Sequence, residues 1–194
     1  MKNYTPYYSS CAFVLMLALF HPSSVSAQTP AFTTGTNVIS AGLGFSGVSG
    51  TGANNILYHT TTPEYSVRYE RGLWKAGPGV ISLGVLLGEA SYRYDILYPG
   101  ESKATLEKWT YWEYGLRGAY HFTGLKVPNL DPYTGIMISE QRTHYSSDTF
   151  PSGTSNSGGL SIFAGARYFL WPHLGVYAEL ATGPFFNGGI AATF

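Results

Sequence analysis

The chain has 194 residues, of which only 11% are charged and 16% are aromatic, with 24 glycines and 16 tyrosines. A soluble globular domain carries about 25% charged residues, so this composition indicates either a surface that meets something apolar or loops that are polar without charge. The formal net charge is zero, which gives no support for nucleic-acid binding. The length predicts a single domain.

The first 27 residues have the pattern of a secretory signal peptide. Lys2 precedes an apolar run from Cys11 to Phe20, and small residues follow it up to Ala27. We predict cleavage after Ala27, since the alternative, an N-terminal membrane anchor, needs about 20 apolar residues. Cleavage removes one of eleven basic residues and no acid, so the mature charge becomes −1, and it removes Cys11, the one cysteine. The mature chain can then form no disulfide.

From residue 37 onward, apolar and polar residues alternate with the period of two that is typical of strands. In the clearest segment, Trp112, Tyr114 and Leu116 share one face, while Glu113 and Arg117 share the other. Most segments are near the 9 to 11 residues that a tilted strand needs to cross a bilayer. We predict an all-β chain in which residues 28–36 form a short periplasmic segment and residues 37–194 form an eight-stranded antiparallel up-and-down transmembrane β-barrel, with strands within 37–47, 64–74, 79–89, 112–122, 132–142, 160–170, 174–181 and 186–194.

The predicted connections alternate in length. Long polar connections span 48–63, 90–108 and 143–158, whereas those on the other side are short, as in outer-membrane barrels. Strands running toward the short-turn side finish in aromatic residues, which collect where hydrocarbon meets lipid headgroups. We predict that an aromatic girdle is formed there by Trp74, Phe122, Trp171 and Phe194.

The polar face of the predicted strands is mostly Gly, Ser and Ala, which suits a narrow lumen better than a water-facing surface. A soluble lipid-carrying barrel, with its apolar face inward, is the alternative. An eight-stranded barrel is filled by its own side chains, so we expect no open pore. Because an unpaired charge in such an interior is costly, the six charges on this face predict an ion-pair network, against the alternative of unrelated charges on a solvated face: Arg68, Glu70, Glu113, Arg117, Arg167 and Glu179.

Motifs for chemistry are sparse. We find no phosphate loop, dinucleotide fingerprint or metal-ligand spacing, and therefore expect no cofactor and no metal. His144 and Ser146 have the residue types of a base and a nucleophile, and Glu140 or Asp148 could orient the histidine. This H-x-S pair locally resembles outer-membrane lipid deacylases over three residues, although it falls near the fifth strand and not the last. A lipid-modifying enzyme is thus the alternative function.

Over residues 35–194 the chain resembles the small outer-membrane β-barrel family, OmpA-like or OmpX-like in size. The most specific segment is Gly188–Phe194, which looks like the C-terminal signal recognised by the barrel assembly machinery, with Ile190, Ala192 and Phe194 as the recognised face. The segments GARYFL and LDPYTG also look like those of such barrels. The resemblance implies a multi-pass protein of the Gram-negative outer membrane, in contact with its lipid. It also implies a non-enzymatic barrel whose surface loops serve adhesion, protection or contact with an extracellular partner of unknown identity.

Overall fold

Eight strands form one antiparallel ring. The computed structural model describes residues 31–45, 56–125, 127–182 and 186–194, so the predicted signal peptide lies outside the described residues. Each strand of the ring pairs with its two neighbours, and β4 pairs with β5 to complete the circle, which confirms the predicted all-β, up-and-down β-barrel. The strands are β1 (Asn37–Phe45), β2 (Ile56–Thr61), β3 (Glu64–Ala76), β4 (Gly79–Ile96), β5 (Thr105–His121), β6 (Leu130–Ser147), β7 (Gly153–Trp171), β8 (Leu174–Ala181) and β9 (Phe186–Thr193).

The ninth strand, β2, is an extension of β3. It pairs with the far half of β4, from Thr61 opposite Tyr92 to Ile56 opposite Ile96, while β3 pairs with the near half. Pro63 lies between the two strands and cannot donate a ladder hydrogen bond, so one long strand is divided in two.

One end of the ring, here called the turn end, carries the short links and the C-terminus. At this end Gly77, with φ of 57°, makes the tight turn between β3 and β4, and a 3₁₀ turn at Thr123–Leu125 follows β5. Left-handed backbone is open to glycine at no steric cost. The opposite end is called the loop end.

The loop end is uneven in height. Strands β4 to β7 have 17 to 19 residues, whereas β8, β9 and β1 have 8 or 9. The predicted long connections 90–108 and 143–158 are therefore wrong: strands occupy most of them, and the links are only 97–104 and 148–152. The outward face of these strand extensions carries few apolar residues that would indicate a strand. Trp109 nevertheless packs on Tyr145 across the ladder with ring centroids 4.5 Å apart, and such aromatic pairs stabilise strands.

Buried side chains lie inside the ring in two clusters, one around Phe32 and Val38 and the other around Leu86, Met137 and Phe163. Across residues 31–45, 56–125, 127–182 and 186–194, no helix has the length and hydropathy needed to cross a membrane.

Candidate functional site

The outward face of the ring is apolar. Leu116, Ile138 and Leu160 form one cross-strand row on β5, β6 and β7, and they are 68%, 65% and 70% exposed. Val85 of β4 continues this row. Such a continuous patch exceeds what monomers expose to water. Apolar residues therefore point outward, not inward as in a soluble lipid-carrying barrel.

The lumen near the turn end contains four buried charged side chains, which we call the turn-end cluster: Glu70, His121, Asp131 and Arg167. Arg167 donates from Nη1 to Asp131 Oδ2 at 3.1 Å and from Nη2 to Glu70 Oε2. The two ring nitrogens of His121 also face carboxylates, with Nδ1 2.7 Å from Asp131 Oδ1 and Nε2 2.5 Å from Glu70 Oε1. Two acids thus meet two bases, so the cluster is neutral when His121 carries both ring protons.

Ser82, His121 and Asp131 have the spacing of a serine–histidine–acid triad, but their contacts do not suit nucleophilic catalysis. Ser82 Oγ lies 3.0 Å from His121 Nε2, yet its hydroxyl donates to Glu70 Oε1 at 2.6 Å. Each ring nitrogen lies within hydrogen-bond distance of a carboxylate, so when His121 carries both ring protons no lone pair is left to accept the serine proton. Ser82 and His121 are also 0% exposed, out of reach of any substrate. This arrangement is structural.

A second group of ion pairs, the mid-barrel cluster, surrounds Glu179. Arg117 donates to Glu179 in bidentate fashion, at 3.1 Å to Oε1 and 2.5 Å to Oε2, and Arg68 lies 3.2 Å from Oε1. The Tyr133 hydroxyl donates to Oε2 at 3.1 Å. The Arg117 guanidinium also lies 3.8 Å from the centroid of the Phe163 ring, so this ring covers one face of the guanidinium in a cation–π contact.

Three further acids, which we call the loop-end acids, face inward closer to the loop end: Glu64, Glu107 and Glu113. Glu64 and Glu107 are buried, and Glu107 accepts a hydrogen bond of 2.6 Å from the Tyr98 hydroxyl. Glu113 is half-buried, and no hydrogen bond or ion pair joins it to the described residues, unlike the other five members of the predicted network. The described inward face is therefore acidic, and not balanced in sign as the sequence suggested.

The N-terminal segment enters the turn end of the lumen. Phe32 is 1% exposed and stacks on His121 with ring centroids 3.7 Å apart and an interplanar angle of 12°. Backbone hydrogen bonds hold the segment, since Gly35 N donates to Gly72 O at 2.8 Å and Gly72 N donates to Thr36 O at 3.0 Å. From the described part of the predicted segment 28–36, Phe32 thus packs inside the ring as part of its core.

The aromatic residues predicted as a girdle are all exposed, between 41% and 71%, and all lie at or beside the turn-end links: Trp74, Phe122, Trp171 and Phe194. A ring that is exposed at one level of the barrel suits the boundary between hydrocarbon and headgroups. Their role as a girdle stays a prediction.

The last residues complete the ring against β1. Phe194 N donates to Asn37 O at 3.1 Å, and Asn37 N donates to Phe194 O at 3.3 Å. Ile190 is 58% exposed, Ala192 is partly exposed, and Phe194 is 71% exposed on the same outward face. The proposed assembly signal is thus one face of the closing strand.

No protein-family model and no curated protein sequence matches the chain. Solved structures do. The attachment invasion locus protein Ail of Yersinia pestis, solved with the heparin analogue sucrose octasulfate, shares 13% identity over 84% of this chain and 100% of that chain, with a TM-score of 0.50. The N-terminal β-barrel domain of Pseudomonas aeruginosa OprF shares 14% identity over 83% of this chain and 98% of that chain, with a TM-score of 0.47. The fold is that of a small outer-membrane β-barrel. At these identities the likeness to Ail concerns the fold alone.

The residues of the alternative catalytic hypothesis lie on the loop-end half of β6. His144 and Glu140 are exposed on the outward face of the barrel, and His144 Nδ1 lies 3.2 Å from the hydroxyl of Thr154, its ladder partner. Within the described ranges, no hydrogen bond connects His144 with Ser146, Glu140 or Asp148. The histidine is thus hydrogen-bonded along the barrel wall and not to the serine.

Metal ligation finds no support in the described ranges, where no group of three His, Cys, Asp or Glu side chains could hold an ion.

The sequence analysis missed Asp131, Phe32, Glu64 and Glu107. Asp131 lies in the LDPYTG segment that carried the family resemblance, which is the one signal that could have drawn attention to it.

Proposed function

We propose that the protein is a non-enzymatic integral protein of the bacterial outer membrane, whose lumen is filled by its own side chains and whose loop end faces out of the cell to contact a partner. The single observation that carries this proposal is the pair of ion-pair clusters across the lumen. Arg167, Arg117 and Arg68, on three different strands, reach across the ring to Glu70 and Glu179, and Arg167 also pairs with Asp131 of the neighbouring strand.

In this proposal, side chains at three levels would obstruct the path along the barrel axis. Phe32 lies at the turn end, the turn-end cluster lies above it, and the mid-barrel cluster packs with Tyr133 and Phe163. An interior of eight strands is about wide enough for side chains alone. We therefore expect no diffusion of ions or solutes through the protein.

Lipid is the partner that the outward face favours. Its exposed leucines and isoleucines would be solvated by acyl chains, and the aromatic residues at the turn end would lie at the inner headgroup boundary. In this proposal the barrel assembly machinery recognises the face of Ile190, Ala192 and Phe194 during insertion. Contact with an extracellular partner would fall to the links at the top of the tall wall of β4 to β7. Residues that bind partners commonly lie on loops, and the strands hold these loops in position.

Planar-bilayer conductance tests the filled lumen. Purified wild-type protein should insert and give no steady channel current, because the ion pairs block the path. An Arg117→Ala/Glu179→Ala variant removes one of the three levels in a charge-neutral pair and should also stay closed, because Phe32 and the turn-end cluster remain, and the outward-facing pair Arg93→Ala/Asp95→Ala should behave like it. A stable, porin-sized current from the wild type would contradict the proposal.

A further inference from the structure

The loop-end half of the lumen carries negative charge that the described residues do not neutralise. Six carboxylates face inward along the described strands, against three guanidinium groups and the His121 ring. With His121 doubly protonated the turn-end cluster is neutral within itself, and with every carboxylate ionised the excess of two negative charges belongs to the mid-barrel cluster and the loop-end acids together. Confined charge of one sign is costly and favours a ligand of opposite sign.

Glu64 supplies the second, independent observation. Its side chain is 9% exposed, and Oε1 is buried without a hydrogen-bond donor among the described residues. This oxygen lies 3.1 Å from the point that a Cβ on Gly88 would occupy, and Gly88 is the ladder partner of Glu113. Glu64 Oε1 therefore lies over the glycine that is paired with Glu113.

An aromatic wall continues outward from this acidic floor. Tyr111 and Trp109 precede Glu113 on β5 by two and four residues, so they share its inward face about 7 and 13 Å farther along the strand. Both rings are half-buried, and Trp109 packs against Tyr145 of β6. Gln141, the ladder partner of Glu113, adds an amide beside the carboxylate. Aromatic rings beside carboxylates attract an organic cation.

We propose that the loop end of the lumen binds a primary alkylammonium group, the chemistry of a lysine side chain on a partner protein, with the ammonium at Glu64 and Glu113, the alkyl stem on Tyr111 and the partner's main chain beside Trp109. A primary ammonium has three N–H donors, one of which would satisfy Glu64 Oε1. A hydrated metal ion would make no use of the aromatic wall. The inference deepens the proposed partner contact and rests on it only in that the loop end must be accessible from outside the cell.

The test titrates the barrel in lipid nanodiscs with Nα-acetyl-L-lysine amide and follows the indole N–H signal of Trp109 by NMR. We expect saturable binding, and at least about a tenfold weaker affinity in Glu64→Gln and in Glu113→Gln, because each loses a charge-assisted hydrogen bond. The matched control Glu140→Gln makes the same change on the outward face of β6 and should bind like the wild type. Nα-acetyl-L-norleucine amide keeps the stem without the ammonium and should not bind.

Three results would overturn the proposal: equal binding of the norleucine amide, unchanged affinity in both glutamine variants, or binding of Ca²⁺ with none of the lysine amide. Each variant is first checked for the shift in gel mobility between heated and unheated samples that folded barrels give in detergent. If Glu64→Gln fails this check, Glu113→Gln and Tyr111→Leu, both of which keep the Trp109 reporter, decide the question. Because the proposed filled lumen is tested by conductance, a failure of ligand binding leaves that result unaffected.

Discussion

The two ends of the lumen show opposite uses of charge. At the turn end, two acids and two bases are fully buried, every carboxylate has a partner, and Phe32 covers the cluster. At the loop end, Glu113 has no ion-pair partner among the described residues and Glu64 has a buried oxygen without a donor. Buried charge that is paired holds a fold together, whereas buried charge that is unpaired is either a liability or a site. From this comparison we expect the turn end to supply stability, and the proposed recognition falls at the loop end.

Removal of the central cation of the turn end should have the largest effect. Arg167→Met leaves Glu70 and Asp131 with His121 alone, and breaking a buried ion pair costs about 3–5 kcal/mol of unfolding free energy. Urea unfolding of the barrel in lipid vesicles measures it. Arg93→Met, the same change on the exposed outward face, should alter the unfolding free energy by less than about 0.5 kcal/mol. Equal losses in the two variants would contradict the comparison.

Removal of the Phe32 ring should cause the second-largest loss of unfolding free energy. Phe32→Ala leaves a cavity against His121, and Phe→Ala changes in a core cost about 3–5 kcal/mol. Phe150→Ala, in the loop-end link where the ring is 42% exposed, should cost far less in the same unfolding experiment. A loss of under about 1 kcal/mol in Phe32→Ala would mean that the segment does not pack in the lumen in solution.

A methyl group added inside the wall should distinguish the close-packed lumen from the rim of the loop end, at smaller scale. A Cβ on Gly42 would collide with the Tyr177 hydroxyl and with Gly188 O, whereas one on Gly153 at the loop end would meet nothing within 4 Å. Overpacking costs about 1–3 kcal/mol, so Gly42→Ala should lower the unfolding free energy by that amount. Gly153→Ala should leave it nearly unchanged, and a reversed order would show that the two positions are misplaced.

Neutralising a loop-end acid should change the unfolding free energy in the opposite direction. Glu113→Gln removes a carboxylate that repels Glu64 and has no described counter-charge, so the unfolding free energy should stay the same or rise by up to about 1 kcal/mol. Glu70→Gln removes a paired carboxylate and should destabilise the barrel. If Glu113→Gln destabilised it as much as Glu70→Gln, Glu113 would have a structural partner and the distinction between the ends would fail.

The smallest expected effect concerns Tyr98, in the link after β4. Its hydrogen bond to Glu107 raises the pKa of Tyr98 to about 12 from a usual value near 10. The neutral phenol is the form that donates the hydrogen bond. The contribution of this bond to the stability of the fold is therefore complete below pH 10 and is lost as the pH rises through 12. The difference in ultraviolet absorbance between the wild type and Tyr98→Phe should show one phenol that ionises near pH 12. A difference centred at pH 10 would mean that the bond is absent.

Strand positions were predictable where lipid imposes one apolar face on each strand, as at Leu116 and Ile138. Beyond that band the outward face carries few apolar residues, and the alternation over residues 92–96 is shorter than a full strand. The extensions of β4 to β7 were therefore missed, although aromatic pairs such as Trp109 with Tyr145 support them. The inward acids Glu64 and Glu107 were missed because they lie at or near the first residue of a strand. At a strand end too few residues alternate to show which of them point inward. Phe32 lies before the first strand, and only the folded ring shows that it has a place inside.

The central claim is that the apolar face of each strand meets acyl chains while the other face encloses the lumen, and a spin-label scan along β4 tests it most directly. Single cysteines introduced from Leu83 to Gly88 into the mature chain, which has no cysteine of its own if cleavage follows Ala27, would carry nitroxide labels in lipid vesicles. Oxygen accessibility should alternate, with maxima at Leu83, Val85 and Leu87, since these side chains are exposed on the outward face. Maxima at positions 84, 86 and 88, or no alternation, would contradict the account.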